Sequence, residues 1–75
     1  MTGSEPTEML LIQVNGESLE WRPGLRVSEL LEELGAVGPG LAVEKNLEVV
    51  PRSLHQETLV EPGDKLEIVR LVGGG

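Results

Sequence analysis

The sequence predicts an α+β fold: a mixed sheet of four to five strands with one main helix packed on one face. Three observations predict it. Two segments of alternating apolar residues flank Asn15-Gly16, near the start of the chain. One block, Val27 to Leu34, carries apolar residues at helical spacing. A third alternating segment, Lys65 to Val72, closes the apolar part of the chain.

Taken in order, residues 1–8 form a polar lead-in with Gly3, Ser4 and Pro6 and no apolar period, expected to be flexible. The domain is expected over 9–72. Leu10, Ile12 and Val14 alternate with Leu11 and Gln13, which is the period of a strand. Asn15-Gly16 tolerates the positive φ angles of a tight hairpin. Glu17 to Trp21 is the return strand, with Leu19 and Trp21 against Ser18 and Glu20. Arg22-Pro23-Gly24 ends it. Val27, Leu30, Leu31 and Leu34 then share one helical face, with Glu29, Glu32 and Glu33 outside it as a solvated side. Gly35 takes the place of a left-handed helix terminator. A helix this short with one apolar side must lie on a sheet. Leu41 to Lys45 is a short strand, and Asn46 starts a turn. Val49-Val50 is a shorter strand cut by Pro51, as at a sheet edge. Ser53 to Leu59 shows no period and is read as a turn or a single helical turn. Glu61-Pro62-Gly63-Asp64 is a turn before the final strand.

Composition narrows the function. A chain of 75 residues buries only roughly 60–65% of its unfolded surface and has no room for a core plus a deep catalytic cleft. With no Cys, disulfides, thiol nucleophiles and zinc–thiolate sites are excluded. The single histidine, His55, builds neither a triad nor a metal site and is expected in an exposed loop. Thirteen acidic residues against six basic ones give a net charge of −7. That balance argues against nucleic acid and anionic membrane as partners and suits basic protein surfaces. No apolar run is long enough to span a membrane, and no signal peptide is visible, so a cytoplasmic location is expected.

The last strand and the tail carry the functional signal. If the helix covers Leu66 and Ile68, then Val69 and Leu71 face the other way with no cover in this chain, and Leu11 and Met9 are candidates to join them. Gly73, Gly74 and Gly75 bury nothing, but without Cβ atoms they can thread a narrow channel. Three extended residues reach about 10–11 Å, enough to present the carboxylate of Gly75 in a partner's site. Taken alone, the same glycines read as a frayed end or a linker. Trp21 is expected to cover the core's edge with its N–H partly wet, and Arg52 to hold a turn.

The run Val27-Ser28-Glu29-Leu30-Leu31-Glu32-Glu33-Leu34 is followed by Ala42-Val43-Glu44-Lys45-Asn46. Val50-Pro51-Arg52, Gly63-Asp64-Lys65-Leu66-Glu67-Ile68 and the final Gly74-Gly75 complete the set. In that order and spacing the set resembles the ThiS family, ubiquitin-like sulfur carriers of thiamin biosynthesis, over about residues 10–75. Two positions depart from the family's pattern. Gly73 stands where a non-glycine residue is usual, and Arg26 stands where a capping Thr or Ser is common, leaving Ser28 as a displaced cap. The resemblance implies a β-grasp fold and a carrier, not an enzyme, with no cofactor bound. It implies that a ubiquitin-activating-type adenylyltransferase uses ATP to adenylate Gly75, and that a persulfide sulfur donor converts it to a thiocarboxylate. The sulfur then passes to a thiazole synthase. Gly73 and Gly74 would give access, and Val69, Leu71 and Leu11 would dock partners. Carriers for tRNA thiolation or molybdopterin synthesis share this chemistry, and a plain β-grasp binding module lacks it.

Overall fold

Burial follows the alternation read from the sequence, and it divides the sheet into two unlike faces. The computed structural model describes residues 10–71. Five strands run β1 (Leu11–Val14), β2 (Glu17–Glu20), β3 (Leu41–Lys45), β4 (Glu48–Val50) and β5 (Lys65–Arg70), with helix α1 (Val27–Glu33) between β2 and β3. A short 3-10 turn, Arg52–Leu54, follows β4. The sheet order is β2-β1-β5-β3-β4, so the last strand in the chain is central. β1 and β5 are parallel, and the other pairs are antiparallel.

Ile12, Val14, Val43, Val50 and Leu66 form the buried inner face and join Val27, Leu30 and Leu31 of α1 in one core. Leu25 and Val60, from the loops, close it. Each such side chain contributes about 1.5–3 kcal/mol by leaving water. The opposite face, with Leu11, Gln13, Lys65, Glu67 and Val69, is exposed. The expected lead-in 1–8, the tail 73–75 and Val72 of the expected last strand lie outside the described residues.

The start of α1 is satisfied in a way the sequence did not indicate. Arg26 holds the capping position in an extended conformation, and Glu29 accepts its backbone N–H at 3.1 Å. Ser28 lies inside the first turn and is no displaced cap. Its N–H instead donates to the His55 carbonyl, and that of Val27 to the Thr58 carbonyl, both at 2.9 Å. Two otherwise orphaned helix donors are thus met by the segment after β4. The C-terminus ends as expected, with Gly35 at φ +73. Its N–H bonds Glu32 O and that of Ala36 bonds Leu31 O, a Schellman pair.

Several expectations are corrected. His55 is buried, at 8% exposure, not exposed in a loop. Its Nε2 lies 3.0 Å from the Val50 carbonyl, which ties the loop to β4. Trp21 covers the edge of the core as expected, half-buried, and its Nε1 has a partner the sequence did not indicate, donating to Val60 O at 2.6 Å. Leu34 is 44% exposed, because the helix ends before its position turns onto the core. Glu33 is more than a solvated residue, since it pairs with Arg22 across the exposed end of the helix.

One buried carboxylate fixes the start of β5. Burial pushes the Asp64 carboxyl up, but the Glu61 N–H, the Asn46 amide and the Lys45 ammonium outweigh it, and its pKa lies below the ordinary value. The Glu61 N–H donates to Oδ2 at 2.8 Å, Asn46 Nδ2 to Oδ1 at 2.9 Å, and Lys45 Nζ lies 3.5 Å from Oδ2. With the folded value depressed, the stability from Asp64 is fully present above its unfolded pKa of about 3.9. It is lost as pH falls through the lower folded value. Urea unfolding from pH 7 down to pH 2 is expected to show this loss. Asp64→Asn is expected to flatten that acid limb and to cost about 1–3 kcal/mol at neutral pH.

Candidate functional site

The segment that leads toward Gly75 is β5, and its last residues are gripped from both sides. β1 stops at Val14, one residue short of matching Glu67. Asn15 extends the ladder with its side chain: Nδ2 donates to Ile68 O at 3.1 Å, and Oδ1 accepts the Ile68 N–H at 2.8 Å. The amide thus does the work of a backbone peptide unit on β5's flank. On the other flank, the Leu71 N–H donates to Gly40 O at 2.6 Å, one residue beyond the β3 pairing. Arg70 fixes that loop, donating from Nη1 to Pro39 O and from Nη2 to Val37 O, each at 3.0 Å. Leu71, the last described residue, is therefore held to the sheet by its backbone.

The outer face beside this exit carries the apolar residues singled out from the sequence. Val69 is 48% exposed and Leu71 63%. Ala42 lies opposite Val69 across the β3–β5 pairing. Leu11 shares this face but not this place. The parallel register sets Gln13 against Lys65, and the Gly63 N–H bonds Leu11 O, so Leu11 is level with Gly63. Val69 lies six residues further along β5, about 20 Å at ~3.3 Å per residue. The structure brings Val69 and Leu71 together at the exit and sets Leu11 at the far end. Met9, Gly73, Gly74 and Gly75 lie outside the described residues.

In the sequence Asn15 reads only as a hairpin residue, and Gly40 and Arg70 are not assigned to the site. Asn-Gly signals the hairpin, but nothing in it tells that the amide also reaches a strand 53 residues away. Among the described residues no group of three His, Asp or Glu is placed to hold a metal ion. No helix of the described residues is long and apolar enough to cross a membrane.

A mixed sheet in this order, with a single helix over its inner face and the final strand at its centre, defines a ubiquitin-like β-grasp domain. The match extends to sequence: the chain belongs to the ThiS family, whose model matches residues 10–75. The crystal structure of a thiamine biosynthesis protein (ThiS) from Geobacter metallireducens is similar, with a TM-score of 0.74 and 33% identity, covering 88% of this chain and 100% of that one. The sulfur carrier protein ThiS of Escherichia coli is 31% identical over 64 residues, 85% of this chain and 97% of that protein. A thiazole synthase of Paramagnetospirillum magneticum is 47% identical over 62 residues, 83% of this chain. The match spans only 19% of that synthase's length.

Gly40 is the tightest point of the exit. It holds φ +82, and a Cβ there would stand 3.0 Å from the Leu71 carbonyl oxygen. Gly40→Ala is therefore expected to cost about 1–3 kcal/mol and to pull Leu71 from β3. Amide exchange at Leu71 should accelerate far more than at Val43; equal protection in the variant would remove Gly40 from the exit.

Proposed function

We propose that the chain is the sulfur carrier for the thiazole half of thiamin, acting as a co-substrate and not as an enzyme. The observation that carries this reading is the family match, which runs from the first strand through to Gly75. The grip on β5 supports it, because a reacting group on a tail needs a fixed point of departure. The thiazole synthase relative supports the choice of pathway, since a segment like this chain there shares one polypeptide with a synthase.

The chemistry answers a problem of reactivity. A carboxylate is a poor electrophile, because its charge is delocalised and oxide is a poor leaving group. In the proposed cycle a ubiquitin-activating-type adenylyltransferase brings ATP to Gly75. A carboxylate oxygen attacks the α-phosphorus and pyrophosphate leaves. The terminal sulfur of a persulfide then attacks the acyl carbon of the adenylate, and AMP leaves. An acyl disulfide results. A second thiol attacks the donor's sulfur, forms a disulfide with it, and releases the thiocarboxylate. That anion is the nucleophile delivered to the thiazole synthase. Gly73 and Gly74 give the tail a cross-section without side chains. Val69 and Leu71 dock the enzymes that work on it. From Leu71, the four residues to Gly75 reach at most about 14 Å.

Intact-mass measurement tests the cycle directly. After incubation with the activating enzyme, ATP, magnesium, a persulfide donor and a reducing thiol, the protein is expected to gain the mass of one oxygen-to-sulfur exchange. An unchanged mass with every component present overturns the reading. Position of the reacting atom is tested separately. Adding one residue after Gly75, or deleting Gly75, is expected to abolish adenylation, read as ATP–pyrophosphate exchange, while the melting curve stays in place. Full exchange activity in the unprocessed extended protein would contradict a fixed reach.

A further inference from the structure

The two hairpins of the sheet use the same turn with different residues. Asn15 and Gly16 sit at φ 51 and 86, and Asn46 and Leu47 at φ 52 and 71. Both pairs have the positive φ angles of a type I′ turn. Glycine suits the second position; a branched aliphatic residue there is a conformational outlier. Burial does not explain the leucine, because Leu47 is 89% exposed, the most exposed large apolar side chain among the described residues. Val49, two residues on, is 67% exposed on the outer face opposite Glu44. The sequence therefore keeps at the tip of a hairpin a residue that neither the turn nor the core favours.

Leu47 borders a recess of about 450 Å³ on the outer face, which Glu44, Glu67, Lys65 and Gly63 also line. Gly63 and Lys65 line a second recess on their other side, with Leu11. Leu11 and Leu47 thus flank the start of β5, at the end of the face remote from Leu71. The charge around them is acidic. Glu44 and Glu67 line the recess against the single ammonium of Lys65, while Glu48 stands opposite Lys45 on the inner-face register and Lys45 lies against Asp64.

We propose that Leu47 is the anchor of a second docking point, with Leu11 and Val49 beside it, for the ATP-using activating enzyme. The inference rests on the carrier reading above and adds the far half of the surface that the enzyme grips. The matching enzyme surface is an apolar recess sized for one branched side chain and ringed by Lys or Arg. An acidic rim around an exposed anchor selects such a surface and steers its approach. Gripping the domain at Leu71 and again at Leu47 fixes its orientation, which a single patch at the base of the tail leaves free to swivel.

The strain at Leu47 supplies the test, because stability and binding are expected to move in opposite directions. Leu47→Gly relieves the turn and is expected to raise Tm by a few degrees. Titrated calorimetrically with the purified cognate activating enzyme in the absence of ATP, the same variant is expected to bind at least tenfold more weakly, about 1.4 kcal/mol. Leu47→Asn, which also tolerates the turn, is expected to weaken binding equally. Binding within twofold of wild type in both variants overturns the proposal. So does a fall in Tm with the loss of binding, which makes Leu47 structural, and so does a loss seen only with the thiazole synthase. Leu71→Glu separates the two readings. If it weakens binding and wild type gains sulfur while the Leu47 variants bind normally, only this inference falls. A wild-type chain that neither binds the activating enzyme nor gains sulfur removes the carrier reading and this inference together.

Discussion

The central strand is the constraint on which the rest of the molecule depends. β5 is the last element in the chain, yet it lies between β1 and β3 and is stapled at both ends by asparagine side chains. Asn15 spans the Ile68 peptide near its exit. Asn46 holds its start: the Asn46 N–H donates to Lys65 O at 2.7 Å, and Oδ1 accepts the Lys65 N–H at 3.0 Å. Each asparagine is also the first central residue of a hairpin turn, at φ 51 or 52. The residues that reverse the neighbouring strands are therefore the ones that lock the middle strand. A central strand cannot slip without moving its alternate side chains from core to solvent. Leu66 is buried and Glu67 exposed, so the register of β5 is specified along with its hydrogen bonds.

From this follows the division of the two faces. One seven-residue helix and two loops can cover one side of a five-stranded sheet and no more. The covered side took the branched aliphatic residues. The other took charges and single exposed apolar residues. Arg70 sits at the junction, on the inner-face register of β5, with its guanidinium spent on the carbonyls of Val37 and Pro39. Its role is to hold the loop whose Gly40 carbonyl receives Leu71. A chain this small has stability of only a few kcal/mol to lose, so such backbone contacts weigh heavily.

Much of this was legible in the sequence, and the rest failed for identifiable reasons. The Asn-Gly hairpin, the short helix with its Gly35 terminator, and the edge strand before Pro51 follow from local chemistry, and all are present. The inner face was legible because period-2 burial is local as well. What was not legible is what depends on register between distant segments. Leu11 and Val69 have the same parity, which places them on one face. Only the pairing of Gln13 with Lys65 reveals that they stand at opposite ends of it. His55 looked like a loop residue because its burial comes from folding back on Val50 and on the start of α1. Leu34 satisfied the helical stripe, yet the stripe outran the helix. The turn at Asn46 was visible, but the positive φ of Leu47 was not, since the usual signal for it is a glycine.

The separation of Leu11 from Leu71 changes what kind of docking the face can support. Had they been adjacent, a compact patch at the base of the tail would account for recognition. A distance of about 26 Å, eight residues at ~3.3 Å each, does not fit a single side-chain pocket, but it suits an ordinary protein interface. A standard interface takes about 800 Å² from each partner, a disc on the order of 30 Å across. Centred on Glu67, such a disc covers Leu71 at one rim and Leu47 and Leu11 at the other. Apolar anchors at the two rims with carboxylates between them give orientation more than raw affinity, since exposed ion pairs contribute little and anchors contribute most. The proposed carrier function requires that property: release after each transfer, with the same orientation on every visit.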